Sequence, residues 1–411
     1  MSTKPAEAQV QGESIFQRIV SLLELDVRQL AMVGALVLIW IGFDIVTDGI
    51  FLSPRNLWNL SVQMSVVGVM ATGMVLVIVA RHIDLSVGSL MGFAAIIMAV
   101  LQVQVFPIGA SWNWWVTLLI GLAVGALIGA LHGFIIAYLE VPAFIVTLGG
   151  LLAWRGANWL TTTGRTISPL DVNFQMIGGG IDGAIGATAS WVVGVIAVVL
   201  IVFANLSARQ RRQKYGFNVK PWWAELLILA LTAAVILYAI SYLNQYYRPR
   251  TEIPRGIALP VLILLAVTVF MAALVRYTKF GRYVFAMGGN PEAARLSGVN
   301  TRRVTLQIFV IMGVLCAIAG AISSARLNAG ANSLGTLKEL EVIAAAVIGG
   351  TSLAGGMGTI SGAILGTVLI SSLASGMVLI GWSTSLQQVV QGIVLVLAVW
   401  LDVFYQKRRV D

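Results

Sequence analysis

The sequence contains little charge, one cysteine and two histidines. Charged residues make up 10% of its 411 residues, whereas a soluble globular domain carries roughly a quarter, so a water-soluble enzyme of one or two domains is excluded. Cys316 has no partner within the chain, which excludes an internal disulfide. His82 and His132 form no cluster of ligands with cysteine, so we expect no metal site.

The sequence also lacks the lysine motif of many ATP-binding proteins. Its lysines are followed by Pro, Tyr, Pro, Phe, Glu and Arg, whereas a P-loop requires a lysine followed by Ser or Thr after a glycine-rich turn. We therefore expect no P-loop ATP site and no cofactor in this chain. If the protein works by ATP hydrolysis, another subunit must bind the ATP.

Apolar residues dominate what is present. Hydrophobic side chains account for 58% of the chain, and 43 residues are glycine, which is frequent in transmembrane helices. The net charge of +9 is typical of the cytoplasmic loops of a membrane protein, and almost no soluble face remains that could bind nucleic acid. The composition predicts an all-α, polytopic transmembrane protein that lies in the lipid bilayer.

Long apolar runs predict the spans, each of roughly 20 residues. We expect ten to twelve, from the segments 29–47, 60–80, 85–106, 113–138, 142–160, 188–206, 222–241, 257–275, 303–324, 339–354, 358–380 and 386–404. The segment 339–354 is short and predicts a half-helix or a re-entrant segment. The transmembrane domain covers 29–404, between an N-terminal segment 1–28 and a tail 405–411. Apolar residues at helical spacing over 14–29 predict an interfacial amphipathic helix, or else a frayed start of the first span.

The lysines and arginines predict the orientation, because cytoplasmic loops carry an excess of them. With both termini in the cytoplasm, 18 of the 26 lie in cytoplasmic segments and 7 in external ones. This orientation places the loops 207–221 and 276–302 in the cytoplasm. The loops 161–187 and 242–256 are then external.

The loop 276–302 contains the signals of a short helix. Asn290 suits the N-cap and Pro291 the first helical position. Glu292 in the first turn and Arg295 near the end complement the helix dipole, and Gly298 can adopt the left-handed conformation that ends a helix. These signals predict a helix over 291–297, too short to be stable alone. A partner protein would cover it; an ordinary connecting helix is the alternative.

Three runs of residues carry a resemblance to a known family. One is the loop from Gly281 to Gly298, the second is IDLSVGS from Ile83 to Ser89, and the third is AAAVIGGTSLAGGMGT over 344–359. In their order along the chain they resemble the binding-protein-dependent ABC sugar permeases, in the branch that contains ribose, galactose and xylose permeases. Arg81 and His82 depart from the family pattern. The stretch 207–256 resembles the longer, xylose-type permeases.

The resemblance implies a function and partners. The chain would be the membrane-spanning subunit, and not an enzyme, of an ATP-driven importer in the bacterial inner membrane. D-xylose is the leading substrate, with ribose or another monosaccharide as alternatives. The partners would be an ABC ATP-binding subunit, a periplasmic sugar-binding protein and a second copy of the permease. A coupling helix at about 290–298 would dock on the ATP-binding subunit, through Gly288, Asn290, Pro291, Glu292, Ala293, Ala294, Arg295 and Gly298.

Other residues are candidates for gating, for the sugar pathway or for docking. Asp84 with Arg81 predicts an ion pair at the cytoplasmic edge or a helix cap. The candidates for gating or close packing are Asp84, Gly88, Ser89, Gly355, Gly356 and Gly358. The candidates for the pathway are Gln307, Asn328, Gln387, Gln388 and Gln391. The candidates for docking the binding protein are Arg165, Arg248, Arg250 and Arg255, with ordinary solvated charge as the alternative.

Glycines recur at every fourth position of the segment 113–138. Gly121, Gly125, Gly129 and Gly133 share one face of the predicted helix. Small residues at this spacing allow helix backbones to touch. We predict close packing within the chain, with a dimer contact as the alternative.

An ion-coupled secondary transporter is the competing hypothesis. It would require a buried carboxylate, a histidine or a broken helix near the middle of the membrane. The acidic residues concentrate near the ends of the predicted spans. This distribution favours the ATP-driven importer.

Overall fold

The described chain consists of helices joined by mostly short loops. The computed structural model describes residues 27–217 and 219–410, without the side chains of 27, 28, 398 and 401–410. Within these ranges there is no strand, only isolated bridges. The helices are α1 (Val27–Val46), α2 (Pro54–Val79), α3 (Val87–Val100, continued by a π-helical turn over Leu101–Val105), α4 (Asn113–Tyr138), α5 (Ala143–Thr162), α6 (Val172–Ile177), α7 (Gly186–Lys214), α8 (Trp222–Leu243), α9 (Leu259–Tyr277), α10 (Lys279–Gly289), α11 (Pro291–Leu296), α12 (Thr301–Leu327), α13 (Lys338–Ile348), α14 (Ile360–Leu379) and α15 (Thr384–Val410).

Each predicted apolar segment corresponds to a helix. Nine helices of the described ranges are long and apolar enough to cross a membrane, and α5, α13 and α15 account for the remaining segments. The predicted all-α class is confirmed, whereas the expected ten to twelve spans stay a prediction. The segment 339–354 is the short helix α13 followed by a non-helical stretch, which agrees with the predicted half-helix.

Some boundaries differ from the predicted ones. α2 begins at Pro54, six residues before the predicted start, because Ser53 caps it by accepting a hydrogen bond from Asn56 N at 3.4 Å. α15 continues over 405–410, within the predicted tail, because the sequence contains no glycine or proline after Gly392 that would end this helix. The cytoplasmic position of the tail stays a prediction. Most of the predicted amphipathic helix lies outside the described residues.

α2 lies at the centre of the bundle. Every residue from Ser65 to Val79 is buried, and α2 contacts α9, α12, α13 and α14. α1, α7 and α8 lie at the periphery and expose large apolar side chains such as Leu38, Phe203 and Val235. Exposed apolar surface of this extent is expected where helices face lipid rather than water.

The glycines of α4 bring its backbone against α12. A Cβ atom on Gly125 would collide with Gly313 O, and one on Gly129 would collide with Phe309 O. A Cβ atom on Gly133 would lie 2.9 Å from Leu306 Cα. The predicted close packing within the chain is therefore confirmed for this face.

α3 and α13 both begin in the interior of the bundle, not at its surface. Gly150 lies seven residues into α5, about 10 Å along that helix, and a Cβ atom on it would lie 3.2 Å from Ser86 Cβ at the start of α3. Gly335, before α13, packs directly on Gly88 in the first turn of α3. The non-helical segment 80–86 leads to this point, and such backbone is tolerated at membrane depth where protein buries it.

Candidate functional site

α11 forms as its sequence predicts. Asn290 Oδ1 accepts a hydrogen bond from Ala293 N at 3.0 Å, and Pro291 occupies the first turn. Gly298 has a φ of 84°, the left-handed conformation, and its N–H donates to Arg295 O at 3.0 Å. The N-cap and the C-terminal glycine are confirmed, and the helix ends at Leu296, one residue before the predicted end.

α11 presents most of its side chains to the outside of the bundle. Only Ala294 is buried, and it packs on the main hydrophobic core. Glu292, Arg295 and Leu296 are exposed, and Leu296 is 80% accessible. One small side chain therefore anchors the helix, while two opposite charges and a leucine remain available for contact with another molecule.

Three segments meet behind α11, at the end of α10. A Cβ atom on Gly288 would collide with Val79 O, at the end of α2, and would lie 2.7 Å from Gly356 N. Gly356 N itself donates to Val79 O at 2.9 Å. Gly288 is thus the point at which α10 touches both the end of α2 and the glycine-rich loop that follows α13.

Arg81 connects the end of α2 to the end of α10 by two hydrogen bonds. Its Nε donates to Gly288 O at 2.6 Å and its Nη2 to Gly289 O at 2.7 Å. These are carbonyls of the last turn of α10, which have no partner within the helix and attract a cation. Motion of α11 would therefore reach the segment 80–86 through Arg81.

The predicted ion pair between Arg81 and Asp84 is wrong for the described structure. Arg81 turns to α10, whereas Asp84 is 2% exposed and its Oδ1 accepts hydrogen bonds from Ser86 N at 2.8 Å and Ser86 Oγ at 2.6 Å. Ser86 is the N-cap residue of α3. The alternative prediction, a cap, is closer to what is observed: Asp84 orders the turn that starts α3.

A chain of buried and half-buried side chains extends from Asp84 across three helices. Trp154 Nε1 can only donate, so His132 Nε2 accepts its hydrogen bond, at 3.1 Å. This leaves His132 Nδ1 to face Ser86 Oγ at 3.4 Å, and Ser86 Oγ donates to Asp84. The serine hydroxyl therefore points to the carboxylate and not to a histidine base, and all of Ser86 is buried. This arrangement positions helices and does not suit nucleophilic catalysis.

Glu339 lies beside this chain, in the first turn of α13. It is 4% exposed, and its Oε2 accepts no hydrogen bond from any described residue. A Cβ atom on Gly88 would collide with that oxygen and with Gly335 O. Sequence reasoning missed Glu339, because a glutamate in the first turn of a helix is ordinarily a solvated partner of the dipole.

The remaining gating candidates lie in the first turn of α3 and in the glycine-rich loop that follows α13. Ser89 Oγ donates to Ser86 O at 3.0 Å. Gly355 and Gly356 have φ values of 87° and 75°, which favour glycine. A Cβ atom on Gly358 would lie 2.9 Å from Val79 Cγ2. These contacts are close packing, and a role in gating stays a prediction.

The candidates for the sugar pathway do not come together. Gln307 is exposed near the first turns of α12, whereas Asn328 is at the other end of that helix, where its Oδ1 accepts a hydrogen bond from Leu170 N at 2.8 Å. Gln387, Gln388 and Gln391 lie in the first turns of α15, and Gln387 Nε2 donates back to Trp382 O at 2.9 Å. They define no continuous polar track.

A cleft of about 540 Å³ lies beside α11. Its walls include His82, Glu140, Glu292 and Arg302, and Arg302 Nη2 lies 2.6 Å from Glu140 Oε1. Burial lowers the pKa of His82, which favours its neutral form. The cleft therefore carries charges of both signs and extends the surface that α11 offers to a partner.

One of the arginines predicted for docking is not available. Arg255 is 7% exposed; its guanidinium donates to Gly179 O at 2.9 Å and lies 4.0 Å from the centre of the Trp58 ring. The prediction for Arg255 is wrong, because this arginine holds two loops of its own chain together. Arg248 pairs with Asp182 at 2.8 Å, while Arg165 and Arg250 are exposed.

Comparison with known proteins gives one consistent result. The family model described as branched-chain amino acid transport system / permease component matches residues 56–399. The xylose transport system permease protein XylH of Escherichia coli K12 is 40% identical over 387 residues, 94% of each chain. XylH of Haemophilus influenzae is 42% identical over 92% of this chain and 96% of its own. The ribose import permease protein RbsC of E. coli K12 is 32% identical over 91% of this chain and 93% of its own. No solved structure matches.

These matches cover all three of the runs that suggested a family, as well as α11 and the junction behind it. The resemblance to the ABC sugar permeases is confirmed, and the chain belongs to this family of transport-system permeases.

Proposed function

We propose that this protein is the membrane-spanning subunit of an ATP-driven importer of D-xylose. The proposal of xylose over ribose rests on the greater identity to xylose permeases than to the ribose permease. It also rests on the stretch 207–256, which contains the end of α7, the whole of α8 and the loop after it, and which resembles the longer, xylose-type permeases. Family members are multi-pass proteins of the inner membrane, and the nine long apolar helices of the described ranges fit this place.

The proposed mechanism depends on the contacts that connect α11 to the interior of the bundle. α11 presents Glu292, Arg295 and Leu296 outward, and Arg81 ties the end of α10 to the segment 80–86. That segment leads to Ser86 and Gly88, where α3 and α13 begin side by side. An ATP-binding subunit that moved α11 would therefore move the starts of two helices in the interior.

The transport cycle then follows from rigid-body motion. Close-packed interfaces such as α4 on α12 do not deform gradually, so a push at one end tilts whole helices between two arrangements. ATP hydrolysis occurs in the separate ATP-binding subunit, and two copies of the permease form the pathway between them. A periplasmic binding protein delivers the sugar. The permease itself needs only transient polar contacts, because a tight site would retain the sugar.

We infer that both termini lie in the cytoplasm. With α13 and the non-helical stretch after it counted together as one crossing, α1–α5, α7–α9, α12, α14 and α15 bring the number of crossings to twelve, which is even. The excess of lysine and arginine places the end that carries α10 and α11 inside. Arg165 and Arg250 remain candidates for contact with the binding protein at the opposite end.

The test reverses one charge on α11. Glu292→Lys should abolish ATP-dependent xylose uptake while insertion in the membrane stays normal, since Glu292 is exposed. Glu252→Lys makes the same charge change at an exposed position of the opposite end and serves as the control. Normal uptake and normal sugar-stimulated ATPase activity in Glu292→Lys would remove the coupling role from α11.

The position of the acidic residues near the ends of the predicted spans does not exclude an ion-coupled transporter. Asp84, His132 and Glu339 are buried, and two helices begin in the interior of the bundle. Such a group is what an ion site requires. Family membership still favours the ATP-driven importer. Uptake that survives ATP depletion but stops when the ion gradient is collapsed would favour the rival.

A further inference from the structure

A charged side chain lies exposed in the middle of α5. Arg155 is five residues beyond Gly150, about 18 Å from the start of the helix and about 10 Å from its end. Its side chain is exposed, and within the described ranges no residue accepts a hydrogen bond from it. α5 is long enough to cross the membrane, but it is not one of the nine helices of these ranges that are also apolar enough. Arg155 therefore presents a cation at membrane depth on the surface of its own chain.

The stripe of α5 that carries Arg155 faces the start of α13. Thr162 follows Arg155 by seven residues, about two turns, so the two side chains share one stripe of the helix. Thr162 Oγ1 donates to Asn332 Oδ1 at 3.0 Å, in the loop that leads to α13. The charge of Arg155 itself interacts with the carboxylate of Glu339, in the first turn of α13. The stripe thus runs beside this loop and beside the first turn of α13.

The first turn of α13 carries further charges at this depth. Lys338 Nζ lies 2.7 Å from Glu341 Oε2, and their side chains are 34% and 11% exposed. A charge in contact with lipid costs about 3 kcal/mol or more, so ionisable groups within a membrane almost always face the protein interior or a water-filled cavity. Because Arg155 is exposed on the surface of its own chain, we expect water and not lipid beside it.

We propose that this face of α5, with the start of α13, lines the water-filled pathway along which the sugar crosses the membrane. Arg155 contacts the sugar there, because hydroxyl oxygens accept hydrogen bonds from a guanidinium group. Trp159, one turn further along α5, is 62% exposed and offers an aromatic face to the C–H groups of a sugar ring. A neutral sugar leaves such a surface easily, because its release breaks no ion pair. The inference rests on the proposed function, since it identifies the path of the transported sugar.

The first test asks whether water reaches this face, whatever the substrate is. Gly156→Cys places a thiol beside Arg155, where a Cβ atom would have no atom within 4 Å. Val235→Cys is the control, since Val235 is 67% exposed on the peripheral helix α8 at a similar depth, about 20 Å from the start of that helix. The complete transporter is labelled in membrane vesicles of both orientations with a charged methanethiosulfonate reagent. Because the reactive thiolate forms in water, Gly156→Cys should react at least about tenfold faster than Val235→Cys.

The second test separates contact with the sugar from support of the fold. Arg155→Gln should lower xylose uptake about tenfold, because hydrogen bonds from a charged donor are lost. The ATPase activity that the sugar-loaded binding protein stimulates should stay within about twofold of the native value, because the ATP-binding subunit is untouched. Arg155→Lys keeps the cation and should restore much of the uptake. Arg55→Gln removes an exposed arginine at the start of α2 and should change neither quantity.

Four results would be decisive. Equal labelling of Gly156→Cys and Val235→Cys would place this face of α5 against lipid and overturn the proposal. Cross-linking of two copies through Gly156→Cys without labelling would make the face a dry contact between copies, which also overturns it. Equal losses of uptake and of stimulated ATPase activity in Arg155→Gln would assign Arg155 a structural role. A native protein that took up no xylose would contradict the proposed function, whereas faster labelling of Gly156→Cys would still support a water-filled face.

Discussion

Gly288 and Gly289 are neighbours at the end of α10, but a side chain has room at only one of them. A Cβ atom on Gly288 would enter the space of Val79 O and approach Gly356 N. A Cβ atom on Gly289 would have no atom within 4 Å. The difference arises because Gly288 faces the end of α2 and Gly289 faces away from it.

Gly288→Ala should therefore abolish or strongly reduce xylose uptake. The backbone atoms around Gly288 cannot move aside as a flexible side chain would, so α10 must shift and the two hydrogen bonds from Arg81 must break. Uptake in whole cells, normalised to the amount of protein in the membrane, measures the effect.

Gly289→Ala is the matched control. It replaces a helical glycine in open space and should leave uptake unchanged, with a gain in stability of up to about 1 kcal/mol from helix propensity. If both variants transported xylose normally, the junction behind α11 would have no part in coupling.

At the scale of elements, local signals and tertiary contacts determined different helices. The ends of α11 depend on Asn290, Pro291 and Gly298, which act within a few residues of their own positions, and the sequence predicted them to within one residue. The start of α3 in the interior depends on Asp84, His132 and Trp154, which belong to three separate segments. The spacing of these residues along the chain does not predict that their side chains come into contact.

The interface between α4 and α12 leads to a prediction at this scale. Gly129→Ala places a methyl group against Phe309 O and should push the two helices apart, at a cost of about 1–3 kcal/mol in stability. A fall in the thermal unfolding midpoint of the purified protein in detergent is the expected result.

Gly149→Ala, in α5, provides the comparison. No atom lies within 4 Å of a Cβ at that position, so the unfolding midpoint should stay the same or rise. Equal midpoints for the native protein and Gly129→Ala would show that the backbones of α4 and α12 are not held as closely as described.

At the scale of the whole molecule, orientation rests on charge and can be tested through cysteine. The single cysteine, Cys316, is fully buried, so the native protein should react little with a thiol reagent that cannot cross the membrane. Leu296→Cys adds a thiol on α11 at a position that is 80% exposed. It should react in inside-out vesicles and not in intact spheroplasts.

Ile181→Cys should show the opposite pattern. Ile181 is 68% exposed in the loop between α6 and α7, at the other end of the bundle. Labelling of Leu296→Cys from the outside of spheroplasts would indicate the opposite orientation. It would also contradict the assignment of α11 to an ATP-binding partner in the cytoplasm.

The sequence alone determined the class of the protein, its apolar segments, its family and the short helix α11. These depend on composition, on the length of apolar runs and on capping residues, all of which act over short distances along the chain. It did not determine the partner of Arg81 or the burial of Glu339 and Arg255. Each of these requires side chains from distant segments to meet, and only the packing of the helices decides which ones do.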